Sequence, residues 1–441
     1  MIDDQKAMTT SRSRLERILA VLEDRRDVEH TFLKIYRQEA RAAADASDRR
    51  RQSNTLLGPL DGAIISIKDI FDVAGEPTLA GSVIRRDAKP AQQDALVVRR
   101  LREAGAIILG KTNLDEFCFT TTGVNPHYGT PANACNPELI PGGSSSGAAV
   151  SVAEGTSDIA IGSDTGGSVR IPAALNGVVG FKPTARRIPG DGAFPLSPSL
   201  DSIGPIARSV AECALADAIM AEGIANGMAE LPLAGIQLGV PKGYLLSDVH
   251  DEIAAAMENA LDLLRKNGAL VFECDIEDLL ERMRAATGEA SIASIEAAEI
   301  HADWLQAGIG PVNPRVSEPL RRRLKFPAWA YLRMMRTRSQ LMAEMDDRLK
   351  CIDALVMPTA PIFAPRIDHI IADVAFAEQT EALLLRNAQI ANQFDLTAIS
   401  LPLPQLSLPA GLTLMARNGS DRRLLGWAAG VERLLAGVGA R

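Results

Sequence analysis

Residues 160–183 read AIGSDTGGSVRIPAALNGVVGFKP. An apolar opening at Ala160 and Ile161 runs into the small polar turn Gly162-Ser163-Asp164-Thr165-Gly166-Gly167-Ser168, then a helix-forming IPAALNG stretch and a second β-branched run. Strand, tight turn, helix, strand is the punctuation of an α/β architecture. Outward from this segment the texture repeats. Short apolar runs broken by Gly and Pro recur at GAIISIKD (62–69), AGAIILGKT (104–112), IQLGVPK (236–242), ALVFECD (269–275) and DALVMPT (353–359). Helical spacing separates them at 94–104, 144–154, 209–225, 250–266, 285–306 and 327–350. Such alternation implies a sheet covered by helices on both faces. No linker or composition break divides 56–441, so one large α/β domain is expected there. Residues 1–55 are expected to form an N-terminal helical arm, with Leu15, Ile18, Leu19, Leu22, then Phe32, Leu33 and Tyr36 at helical spacing.

Bulk properties exclude several function classes. The formal net charge of -8 argues against a nucleic-acid partner, because phosphate binding needs a clustered positive face. The densest basic run, Arg321, Arg322, Arg323 and Lys325, reads as a solvated helix face. Five widely spaced cysteines without a C-x-x-C pair suggest neither a disulfide framework nor a zinc cluster. No metal and no cofactor are expected. The charged first thirty residues do not read as a signal peptide, and no apolar run is long enough to span a bilayer. The expectation is a cytoplasmic protein without membrane contact, with monomer and homodimer both open.

Three patterns compete for the chemistry. Gly105 to Thr112 spells G-A-I-I-L-G-K-T, a formal phosphate-loop match. In a true phosphate loop the variable residues leave their N–H groups free for phosphate, whereas here Ala106 to Leu109 are themselves a strand. Gly143-Ser144-Ser145-Ser146-Gly147 matches the G-x-S-x-G elbow with Ser145 at its centre, the mark of an α/β-hydrolase-type serine esterase. The residues before it, NPELIPG, are too polar and proline-broken for the required strand. None of the later histidines, His250, His301 or His369, has the setting of a catalytic base.

The third pattern joins Lys68 in AIISIKDIFD, the run PGGSSSGAAVSVA at 141–153, and the 160–183 segment. A serine nucleophile needs a base within hydrogen-bond reach, and without a persuasive histidine the remaining route is a neutral lysine. Lys68 closes the mostly apolar run Ala63 to Ile67, where desolvation favours the uncharged amine. A second serine can relay the proton. Thr165, Gly166, Gly167 and Ser168 supply backbone N–H groups for an oxyanion hole, and Ser168 ends that turn as the natural nucleophile.

At these residues the sequence resembles the amidase signature family, with its Ser-cisSer-Lys triad. The likeness is carried by Gly142 to Gly147, by Gly162 to Arg170, and by GFKPT at 180–184. It extends through GKTNLDEF (110–117), LDSIGPIARSV (200–210), PTAP (358–361), ISLPLP (399–404) and LPAGLTLMA (408–416). The resemblance implies a single α/β/α domain with a mixed central sheet. It also implies amide hydrolysis through a seryl acyl-enzyme, with Ser168 as nucleophile, Ser144 as bridging serine and Lys68 as base. Ester and carbamate cleavage are extensions of that reading. Asp164 and Arg170 are expected to brace the loop, Arg170 having an acidic substrate group as its other option, and Ser145 to orient the relay. The expected partner is a small-molecule amide. A second role within the family is that of the catalytic component of a tRNA-dependent amidotransferase. The substrate pocket is expected from the 186–200 loop and the 280–390 region, where Phe194, Trp304, Phe326 and Trp329 are the apolar candidates.

Overall fold

The structure is a computed structural model that describes residues 10–26, 30–222, 228–308 and 310–439. Parts of the expected arm (1–9 and 27–29) and the end of the helix expected over 209–225 lie outside the described residues. The described residues form the strands β1 (Phe32–Ile35), β2 (Ile64–Lys68), β3 (Ile107–Thr112), β4 (Ile159–Asp164), β5 (Val179–Lys182), β6 (Ser202–Ala207), β7 (Gln237–Pro241), β8 (Leu270–Cys274), β9 (Ala354–Pro358), β10 (Thr397–Pro402) and β11 (Gly411–Ala416). They form one sheet in the order β1-β3-β2-β4-β6-β5-β10-β11-β9-β7-β8. The sheet is mixed. Strands β3, β2 and β4 run parallel, as do β9, β7 and β8, and the pairs between these groups are antiparallel.

Strands β2, β3 and β4 are buried at every position. Both sheet faces are therefore covered, which is why these strands read as continuous apolar runs rather than alternating ones. Gly110 permits β1 to close on β3, since a Cβ there would stand 2.2 Å from the Lys34 carbonyl oxygen.

Two sequence expectations change. The spacing of Phe32, Leu33 and Tyr36 is not helical: β1 pairs antiparallel with β3 at the sheet edge, between helices Ser11–Asp24 and Arg37–Gln52. Leu15, Leu19 and Leu22 pack with Phe32, Ala40, Ile107 and Leu109, so the N-terminal residues cover one end of the sheet. Over so short a run helical and strand periods look alike, and the tertiary partner decides. The helix expected over 285–306 is three pieces, Glu277–Thr287, Ile292–Ile300 and Ala302–Ala307. Gly288 follows the first, and Ser291 caps the second by accepting from the Ser294 N–H. Among the described residues no helix is long and apolar enough to cross a membrane.

Candidate active site

The parallel register of β2 and β4 sets Ile67 opposite Ile161, so the carboxyl ends of both strands open at the same place. Open α/β sheets collect chemistry outside the carboxyl ends of their strands. Lys68 ends β2 and is wholly buried. Its Nζ donates to Ser144 Oγ at 2.8 Å and to Ser163 Oγ at 3.0 Å. Ser144 follows Gly143 through a cis peptide bond and lies two residues before the helix Ser146–Ala153. The buried Cys118 thiol also faces Lys68 and Ser163, and burial pushes that thiol up from its ordinary range.

Ser168 ends the turn that follows β4 and is 4% exposed, at the floor of a cavity of about 240 Å³. The Ser145 N–H donates to the Ser168 carbonyl at 3.2 Å, tying the two serine-glycine runs together. Among the described residues no hydrogen bond joins the Ser144 and Ser168 hydroxyls directly. Catalytic hydrogen bonds are often long before substrate binds.

The turn itself is braced from below. Asp164 accepts from the Gly167 N–H at 2.9 Å, the Val169 N–H at 3.2 Å and two guanidinium nitrogens of Arg170. Burial opposes ionisation of Asp164, yet the adjacent Arg170 guanidinium holds its carboxyl down at about 2. Arg170 spends its remaining donors on the Ala388 carbonyl and Asn392 Oδ1, and it is wholly buried. The Gly167 N–H is thus taken by Asp164. Ser145 Oγ is turned inward, donating to the Ser163 carbonyl at 3.3 Å. No histidine bonds it among the described residues: His250 caps a helix and His301 packs on Phe117 and Trp304.

Several residues at the site carried no signal in the sequence. Ser163 shares Lys68 with Ser144. Asp201 accepts from Thr165 Oγ1 at 2.5 Å and from the Leu196 and Ser197 N–H groups, and burial pushes its carboxyl up to about 6 against those bonds. The cavity walls are Cys118, Phe119, Leu196, Leu200, Ile292 and Leu385, with Glu381 among the polar positions. Residues of the 186–200 and 280–390 regions line this cavity, and the four aromatics named from the sequence do not. Phe194 faces a second cavity of about 460 Å³ beside Ser163 and Asp201. Trp304 stacks on Phe117, Phe326 packs beside Leu200, Ile292 and Met334, and Trp329 is 62% exposed. Large aromatics fill space wherever apolar surface needs covering, and sequence does not say where. Among the described residues no cluster of three or more His, Cys, Asp or Glu is placed to hold a metal.

Residues 15–425 match the family model described as Amidase. The chain belongs to the amidase family. It is 35% identical over 409 residues to 2-amino-5-chloromuconic acid deaminase of Comamonas testosteroni, covering 90% of this chain and 86% of that one. It is 31% identical over 429 residues to a glutamyl-tRNA(Gln) amidotransferase subunit of Moorella thermoacetica, covering 88% and 86%. A solved structure described as a crystal structure of amidase superposes with a TM-score of 0.86 at 31% identity, covering 98% of both chains. This amidase is thus a hydrolase of carbon–nitrogen bonds in small-molecule amides, on a single mixed α/β domain.

Proposed function

We propose that Ser168 is the nucleophile, Lys68 the base and Ser144 the relay between them. The observation that carries this is the 2.8 Å contact of the buried Lys68 amine with Ser144 Oγ, beneath the cavity whose floor is Ser168. Ser168 Oγ attacks the amide carbonyl while its proton passes through Ser144 Oγ to Lys68 Nζ. The N–H groups of Thr165, Gly166 and Ser168 receive the oxyanion. Collapse of the tetrahedral intermediate breaks the C–N bond, and the departing amine takes the proton back along the relay. Water then attacks the acyl-enzyme with the same base, releasing the carboxylic acid and free Ser168. Strand β1 joins residues before 56 to the sheet of the catalytic domain, and the five free thiols fit a cytoplasmic location.

The test is a panel of small amides, esters and carbamates beside covalent labelling by a fluorophosphonate probe. Ser168→Ala should abolish both turnover and label, and Lys68→Ala should depress them nearly as far, by about 10³-fold or more. Label that maps to Ser145 and survives Ser168→Ala would sink the assignment. The similarity to a tRNA-dependent amidotransferase component keeps one second reading in view. Glutaminase activity that appears only with an added partner protein would establish it.

A further inference from the structure

The cavity above Ser168 carries one formally charged side chain in its wall among the described residues, Glu381. Its placement follows from helix geometry. Glu381 and Leu385 lie on the helix Val374–Ala388, with Gln389 at its end, so the three stand at i, i+4 and i+8 on one face. Leu385 abuts the proposed oxyanion turn: a Cβ on Gly166 would lie 3.0 Å from Leu385 Cδ2 and 4.0 Å from Gln389 Cβ. Glu381 is one turn further along, roughly 6 Å from that contact at 1.5 Å rise per residue. The cavity lining also includes the apolar side chains of Leu196, Leu200 and Ile292.

The carboxylate is held rather than loose. Glu381 Oε1 accepts from Arg315 Nη2 at 2.5 Å, and the Thr121 backbone N–H also bonds it. Burial pushes Glu381 up to about 7 against the pull of Arg315. Arg315 is not among the residues that line the cavity. Beside Glu381, Thr121 Oγ1, also at the cavity wall, is buried without a hydrogen-bond partner among the described residues. A buried hydroxyl without an internal partner costs free energy, which a ligand group within hydrogen-bond reach offsets.

Resting on Ser168 as the nucleophile, we propose that Glu381 and Thr121 form a specificity subsite for a substrate amine or second N–H group. The amide taken has a short apolar spacer between the scissile carbonyl and that donor, and a carboxylate in the same place is rejected. A site with fixed acceptors discriminates strongly against an analogue that cannot pair with them, and an anion there would face Glu381 in a desolvated wall.

The experiment compares three amides of similar length, 4-aminobutanamide, pentanamide and succinamate. Each is measured as a substrate and as a protectant of Ser168 against a fluorophosphonate probe in the full chain. The expected order is amine, then neutral, then carboxylate, with at least about tenfold between the first and last. Glu381→Gln should shrink the amine-to-carboxylate ratio by about tenfold. Carboxylate preferred by the wild-type enzyme, a ratio unmoved in a folded Glu381→Gln variant, or no protection by any of the three overturns the subsite. Should that variant not fold, the wild-type order alone decides. Loss of Ser168 labelling itself would instead overturn the nucleophile assignment, so the two failures are distinct.

Discussion

Gly166 and Gly167 are neighbours of identical chemistry with opposite tolerance for a side chain. Gly167 has φ of 130°, and a Cβ there would fall 2.6 Å from Ala388 Cβ and 2.7 Å from Ile171 Cδ1. Both obstacles are buried, so Gly167→Ala must move the helix beyond it or the turn itself. It should destabilise the fold by about 1–3 kcal/mol and lower turnover with it. A Cβ on Gly166 meets only the end of the Leu385 side chain within van der Waals distance, which can rotate. Gly166→Ala should therefore keep stability within about 1 kcal/mol and act by narrowing the cavity, raising KM for bulky amides first. Denaturant titration beside KM measurements checks the pair. Equal destabilisation by the two substitutions would contradict the packing argument.

The braced turn depends on an element far along the chain. Asp164 at the end of β4 is bonded to Arg170 on the helix Arg170–Leu175, and both reach Asn392, whose amide donates to the Asp164 carbonyl and carboxylate. Arg170 also holds the last turn of Val374–Ala388 through the Ala388 carbonyl. This buried network fixes the helix that carries Glu381 and Leu385 against the turn that carries Ser168. Arg170→Met leaves Asp164 charged and uncompensated in a dry site, and should cost about 3–5 kcal/mol. Adding Asp164→Asn should recover part of that loss, because the orphaned charge is gone. A double-mutant cycle by denaturation measures the coupling, and strictly additive losses would show the ion pair is not the fastening.

At the scale of the whole molecule, burial leaves several carboxyls reluctant to ionise. Asp69, Asp115, Asp201 and Asp217 are each pushed up to about 6, and Glu381 to about 7, with burial the largest cause in every case. A carboxyl raised in the folded state binds more protons there than in the unfolded chain, so its stabilisation is present at low pH and lost as pH rises through the folded value. His301 acts the other way. Burial lowers it to about 4, so folding is penalised as pH falls below its unfolded value of about 6.5. Five groups against one set the sign. The urea midpoint should be higher at pH 5.5 than at pH 7.5, and a fall over that interval would refute the balance. Below about pH 4 the trend should reverse, as the unfolded carboxyls take protons while Asp164 stays ionised to about 2.

The sequence alone determined most of the strands, the α/β class, and Lys68, Ser144 and Ser168 as candidates. Apolar runs bounded by Gly and Pro are local signals, and a Gly/Ser-rich turn between a strand and a helix has few other uses. The cavity floored by Ser168 was legible only at that level. The tertiary structure decided everything that depends on distant partners. Phe32 to Ile35 form a strand because Gly110 lets an edge close on β3. Gly167 keeps its glycine because Ala388, more than two hundred residues away, packs on it. Glu381 reads as one acid on a helical face until that face meets Gly166. Long-range contacts obey burial and shape, and neither leaves a local pattern in the chain.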